Sequence, residues 1–500
     1  MELQFQSETC RCLKAVAREV RNAEMTQEVR LSDAMPDVGR VLTSRGQIVI
    51  RSKEWQGDLV TVSGGIMVWI LYVPEDGTPV RCVDTWVPFQ LKWELQEPGA
   101  EGAVRIYPLL RFVDARSISA RKMMVRAGIA AMGEALSSMQ AQVFIPAQLP
   151  DDIELLRNTY PVRLSKEAGE KTFLLDEELQ LPAGLQNPER LLSYSIHPQL
   201  QEMRVSGDKL VLRGTGKLCV LYRCPEGKIH AAEMEISISQ FAQLEDTYAN
   251  DASADVMLCV TSLELTQNEG PQLRVKCGLV AQYLISDRLL AEITEDAYSP
   301  KRDIKLHKED LELPSVLEQR TELIQAQQQI PGISGDMVDV HFLPDFPRQT
   351  RTGDYMSLEL PGQFQLLYYA PDGSLQGTNA RWENSMQIAA DPDSRIHFLV
   401  QPYGNVQVIS GADELGLRAQ LKMEMHVLAQ ADLPMVAGLD AGEMTDADAE
   451  RPSMIICRCD GESLWNMAKR CGSTVDDIIR INRLDGQPHP GKIIMIPISS

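Results

Sequence analysis

Apolar and polar positions alternate through most of this chain, with short apolar runs closed by proline, aspartate and glycine. One such stretch occurs three times. Gly57-Asp58, Gly207-Asp208 and Gly353-Asp354 each open an apolar, β-branched and aromatic run. In each copy a Leu-Tyr pair follows at the same spacing (Leu71-Tyr72, Leu221-Tyr222, Leu367-Tyr368), and Pro-Glu-Asp-Gly77, Pro-Glu-Gly227 or Pro-Asp-Gly373 closes the run. Alternation with a period of two predicts strands. Gly-Asp and Pro-Asp-Gly supply the turn geometries of antiparallel hairpins. The three copies argue duplication, and the Arg/Lys-apolar alternation of 104–112 and 121–127, 255–262 and 272–277, and 395–400 and 416–423 predicts a second strand pair in each. The predicted fold class is mainly β: three tandem antiparallel modules at 1–150, 151–305 and 306–432, forming an extended platform. Residues 433–453 are small, acidic and aperiodic, and predict a mobile linker.

The pattern changes at 454–498. Leu464, Met467, Ala468 and Cys471 fall on one helix face. Val475, Ile478 and Ile479 form a second face behind Ser473 and Asp476, which read as a capping box. With strands at 454–457 and 492–496, the predicted order is β-α-α-β.

The net charge of −21 over 500 residues excludes a strong basic field for nucleic acid. The longest uncharged run, 59–74, is shorter than the ~20 residues of a membrane helix, and no secretory leader is read at the start. The ten cysteines show no Cys-x-x-Cys spacing, and Cys10/Cys12 and Cys457/Cys459 are expected to share strand faces. The seven histidines are isolated. Arg213-Gly-Thr-Gly-Lys217 lacks phosphate-loop spacing, and Ser119 and Lys122 meet a Ser-x-x-Lys pattern without its companion motifs. No catalytic, cofactor or metal constellation is read, so the expectation is a non-enzyme.

The tail resembles the LysM family. Gly461-Glu462-Ser463-Leu464-Trp465-Asn466-Met467-Ala468, the segment from Thr474 to Asn482, and Pro490-Gly491 through Ile494 and Ile496-Pro497 carry the resemblance. It departs at Ile456, Arg458 and Glu462. The resemblance implies an N-acetylglucosamine glycan groove between two loops, with Asp460, Gly461, Glu462, Ser463, Leu464 and Trp465 on one side and Arg483, Leu484 and Asp485 opposite. Trp465, Asn482 and Gly461 also read as fold-maintaining residues. The tandem repeats before one LysM segment resemble the SipL group of sporulation proteins of endospore formers, related in role to SpoVID. That resemblance implies a scaffold in the mother cell at the forespore surface, whose LysM domain contacts the coat-basement ATPase, stage IV sporulation protein A. Peptidoglycan binding is the alternative.

Overall fold

The computed structural model describes residues 2–498 except 4, 96–100, 147–148, 269, 334, 392–393, 411–413 and 445–451. A short strand β1 (Glu2–Leu3) precedes the first repeat, which comprises β2 (Phe5–Arg30), β3 (Val38–Gln56), β4 (Leu59–Pro74), β5 (Arg81–Glu94), β6 (Gly102–Ser119) and β7 (Lys122–Pro146). These form two antiparallel three-stranded sheets, β3-β4-β5 and β2-β7-β6. The segment from Cys12 to Val20, whose pattern also admits a helix, is strand paired with β7.

The second repeat reproduces this order. It comprises β8 (Glu154–Gln180), β9 (Arg190–Arg223), β10 (Ile229–Tyr248), β11 (Ser253–Gln267) and β12 (Gln272–Tyr298). Here β9 does the work of two strands by folding back at Gly207: Arg213 pairs with Glu202 at 3.3 Å, and the backbone oxygen of Gln199 lies against Gly214. In the third repeat β13 (Arg302–Pro331) leads to β14 (Asp336–Pro344), β15 (Arg348–Thr352), β16 (Tyr355–Tyr369) and β17 (Leu375–Ala389), then β18 (Arg395–Ser410) and β19 (Glu414–Met444). The duplicated turns are equivalent in geometry. Gly57, Gly207 and Gly353 have φ of +61°, +62° and +57°, and Gly77, Gly227 and Gly373 have +73°, +85° and +80°. Only glycine adopts this region freely, which explains why these positions hold glycine in all three copies.

The Leu-Tyr pair divides its labour across the sheet because successive side chains point to opposite faces. Tyr72 and Tyr222 are buried in the cores of their own repeats. Leu71, Leu221 and Leu367 point the other way and meet in one apolar plug with Leu42, Leu192, Ile229 and Leu375, drawn from all three repeats. A second shared plug joins Cys12 and Ala141, Leu164 and Ile293, and Leu313 and Met435.

Each repeat touches both others. The Arg223 guanidinium of the second donates to the Val80 carbonyl of the first at 3.1 Å. The Ile229 N–H donates to the Tyr369 hydroxyl of the third at 2.9 Å. Arg40 of the first donates to Gln376 and the Leu375 carbonyl of the third, at 2.6 and 2.9 Å. On the same seam β1 pairs with β19, Leu3 opposite Leu439. The three repeats therefore close head to tail into a ring, where the sequence suggested an extended platform.

Between the plugs lies a layer of buried charge. Three in-register pairs occupy equivalent positions: Arg105 with Glu134, Asp255 with Leu284, and His397 with His426. Arg105 is 1% exposed and holds Glu134 and Asp255, each at 2.8 Å, while Arg18 reaches Glu134 at 3.4 Å and His426 at 3.3 Å. Burial opposes ionisation of Asp255, but Arg105 outweighs it and holds that carboxyl at about 2.

Residues 433–444, read from their composition as linker, are strand. They complete β19, with Leu306 opposite Leu439 and Leu311 opposite Leu433. Leu433, Met435, Val436, Leu439 and Ala441 are buried. The remainder of that expected linker, 445–451, lies outside the described residues. Among the described residues no helix is long and apolar enough to cross a membrane.

Candidate LysM site and its place on the ring

The tail contains β20 (Met454–Arg458), α1 (Leu464–Cys471), α2 (Val475–Asn482) and β21 (Ile493–Pro497), with β20 and β21 antiparallel. Ser463 caps α1, its hydroxyl accepting from the Asn466 N–H at 3.2 Å, and Gly472 ends it at φ +68°. The cap of α2 is Thr474, which accepts from the Asp477 N–H at 3.1 Å. The capping box read at Ser473 is thus displaced by one residue. Ser473 itself is fully buried. Asp476 and Asp477 occupy the first turn of α2, where carboxylates favour the helix dipole. Asn482 clips the helix to β21: its amide donates to the Met495 carbonyl at 2.6 Å and its oxygen accepts from the Met495 N–H at 2.8 Å.

The candidate rim separates into three groups. Asp460, Gly461, Arg483 and Asp485 are exposed, Glu462 and Ser463 are half-buried, and Leu464, Trp465 and Leu484 are buried. Leu464 and Leu484 belong to the small domain's core with Met467, Ile478, Ile494 and Ile496. Glu462 is held by Arg470 at 2.9 Å. Arg483 caps α2 in the left-handed region, φ +50°, and is the one non-glycine residue with positive φ among those described. A residue missed in the sequence, Gln487, ties the two loops together by accepting from the Leu464 N–H at 3.1 Å. Nothing in its local pattern marks it.

Trp465 faces the ring. Its indole N–H donates to Asp296 of β12 at 2.9 Å, and its ring meets Tyr298 edge-on with centroids 4.7 Å apart. Lys469 joins the same carboxylate at 2.7 Å, and the Tyr298 hydroxyl donates to the Ser473 carbonyl at 2.9 Å. Burial opposes ionisation of Asp296, but Lys469 and Trp465 hold its carboxyl below the usual range. Leu156 of β8 completes the contact. The LysM segment is thus seated on the end of the second repeat. We expect Asp296→Ala to weaken the seat by about 2 kcal/mol, roughly 30-fold in the seated-to-free ratio, because two donors lose a charged acceptor. Limited proteolysis between 444 and 454 checks this; an unchanged cleavage rate would show that the apolar contacts alone hold the domain.

The three carboxylate and imidazole groups of Asp255, Glu424 and His426 converge on one point in the ring. Their chemistry is that of an internal ion network and not of a metal cradle, since Arg105, Arg18 and Lys422 already meet them. Cys10 and Cys12 lie on β2, with Cys12 buried in the second plug and Lys166 3.9 Å from the Cys10 sulfur. Arg213 to Lys217 lie within β9, and Lys122 directly follows the tight turn from β6 to β7.

Two family models match the chain: the SipL, SPOCS domain over residues 187–267, and the LysM domain over 460–497. The chain is SipL-like, with a C-terminal LysM domain. The SPOCS match spans β9 and β10 and extends through β11, so it contains the second Gly-Asp copy, its plug residue Leu221 and the charge-layer residue Asp255. The LysM match takes in both helices and β21, with the rim and seat residues of the small domain. No curated protein and no solved structure matches the chain.

Proposed function

We propose that this SipL-like chain is a non-enzymatic adaptor of endospore coat assembly, acting on the mother-cell side of the forespore surface. The ring is the rigid body, and the LysM domain recruits a coat protein of the stage IV sporulation protein A type. The SPOCS and LysM matches support a sporulation role. The observation that carries the protein-partner reading is the state of the rim. Sugar rings bind by stacking on exposed aromatic faces, and the described rim offers none, because Trp465 is turned onto Tyr298. The glycan alternative keeps one supporting observation: Asp460, Gly461 and Asp485 are exposed on the two loops.

The test is a calorimetric titration of the full-length chain with the purified ATPase of the same bacterium, and separately with chitotetraose. The expected outcome is micromolar binding of the protein, about −8 kcal/mol, and no heat from the sugar. Sugar binding without protein binding would replace the adaptor reading with the glycan one.

A further inference from the structure

The LysM sheet has two faces of different character. Ile455, Cys457, Ile494 and Ile496 turn inward to the domain core. Their neighbours turn outward: Met454, Ile456, Ile493 and Met495 are 42%, 68%, 67% and 39% exposed. Ile456 stands opposite Met495, and Arg458 opposite Ile493. Single exposed apolar residues are ordinary on a protein surface, but four adjoining ones on a two-stranded sheet are a candidate contact face. The seat on the ring uses Trp465, Lys469 and Ser473, so it leaves this face open.

We propose that this outer sheet face, and not the loop groove, is the docking surface of the LysM domain, and that its occupant is an amphipathic helix of a protein partner carrying carboxylates beside its apolar stripe. The proposal rests on the adaptor reading above and names the surface that serves it. Size favours a helix. Two strands of five residues present an area about 16 Å long and one strand spacing wide, which a helix of roughly ten residues covers along its length. Charge sets its chemistry. Arg458 is exposed at one end of the face, opposite Ile493, and joins no ion pair among the described residues. This cation, local to the face, favours a carboxylate on the partner. A second copy of the chain would bring the same cation to the contact and gain no complementarity.

The test uses the full-length chain and the ATPase named above. Ile456→Ser with Ile493→Ser removes the apolar face without adding charge, at positions exposed enough to leave the fold intact, which circular dichroism verifies. Binding is expected to weaken about 100-fold. Arg458→Glu is expected to weaken it about 10-fold and to flatten its salt dependence. If the wild-type chain binds and the serine variant binds within threefold of it, the proposal falls while the adaptor reading stands. If Arg483→Glu with Asp485→Lys abolishes binding and the serine variant does not, the groove is the site and the proposal falls. If wild type fails to bind the ATPase at all, the adaptor reading falls and takes this inference with it. Sedimentation showing a dimer that the serine variant dissociates would make the occupant a second copy, and flotation with phosphatidylglycerol vesicles that the variant abolishes would make it a membrane. Either result overturns the proposal.

Discussion

Replacing Arg105 by methionine is expected to destabilise the ring by about 3–5 kcal/mol, the largest loss of any single substitution considered, because removing one partner of a buried ion pair leaves the other uncompensated. Arg105 and Glu134 are each 1% exposed, and Asp255 is 11% exposed. Without the guanidinium, two carboxylates face each other across the seam between the first and second repeats, with Arg18 and His426 left to meet them. Urea denaturation measures the loss. Adding Glu134→Gln to the variant is expected to restore part of it, since the residual charge then disappears. A loss under 1 kcal/mol would mean that water reaches the layer and screens it.

Lowering the pH from 7 to 5 is expected to cost about 2–4 kcal/mol, through two half-buried histidines at the seams. His197 lines a cavity of about 30 Å³ with Arg45, Asp339 and His341, where all three repeats meet. Burial pushes its pKa down to about 3, aided by His341 and Lys217. His397 is pushed to about 3 by burial, with Arg18 and His426 adding repulsion. Both are neutral in the fold and bind a proton on unfolding near their ordinary value of about 6.5. The unfolded chain therefore binds more protons below that pH, and stability falls as pH falls from about 6.5 toward 3. Each group contributes about 1–2 kcal/mol by pH 5. Asp255 does not offset this, because its stabilisation is intact there and is lost only between about pH 4 and 2. Urea midpoints at pH 7 and 5 check the expectation, and His197→Gln with His397→Gln should flatten the profile. An equal midpoint at both pH values in the wild-type chain would sink it.

The duplicated hairpins were legible because their signals are local. Gly57 and Gly77 specify turns by backbone geometry, and the alternation between them specifies a strand. The destination of Leu71 was not legible. Its period assigns it to a face, but only the meeting of Leu71, Leu221 and Leu367 shows that this face closes a ring. Residues 433–444 misled because composition outweighed period: Leu433, Met435 and Leu439 keep strand spacing among acidic and small neighbours. In the tail, Gly461, Trp465 and Asn482 marked the fold. The seating of Trp465 on Tyr298 depends on two residues 167 positions apart in sequence, a contact that neither local pattern carries. Ile456 and Arg458 registered only as departures from the LysM pattern, and their exposure gives those departures a physical meaning.

The closed ring also fixes the valence of the molecule. In a head-to-tail array that stays open, the first and last units each keep an unused joining surface, and copies of the chain can add end to end. Here β1 and Arg40 occupy the surface that the third repeat would otherwise present, with Gly377 leaving room for the Leu42 backbone at that seam. Among the described residues, each repeat's joining surface is met by another repeat of the same chain. The ring is complete at three repeats, and its joining surfaces cannot seed a filament. Any contact the chain makes with another molecule is then left to the outside of the ring, where the LysM domain is seated.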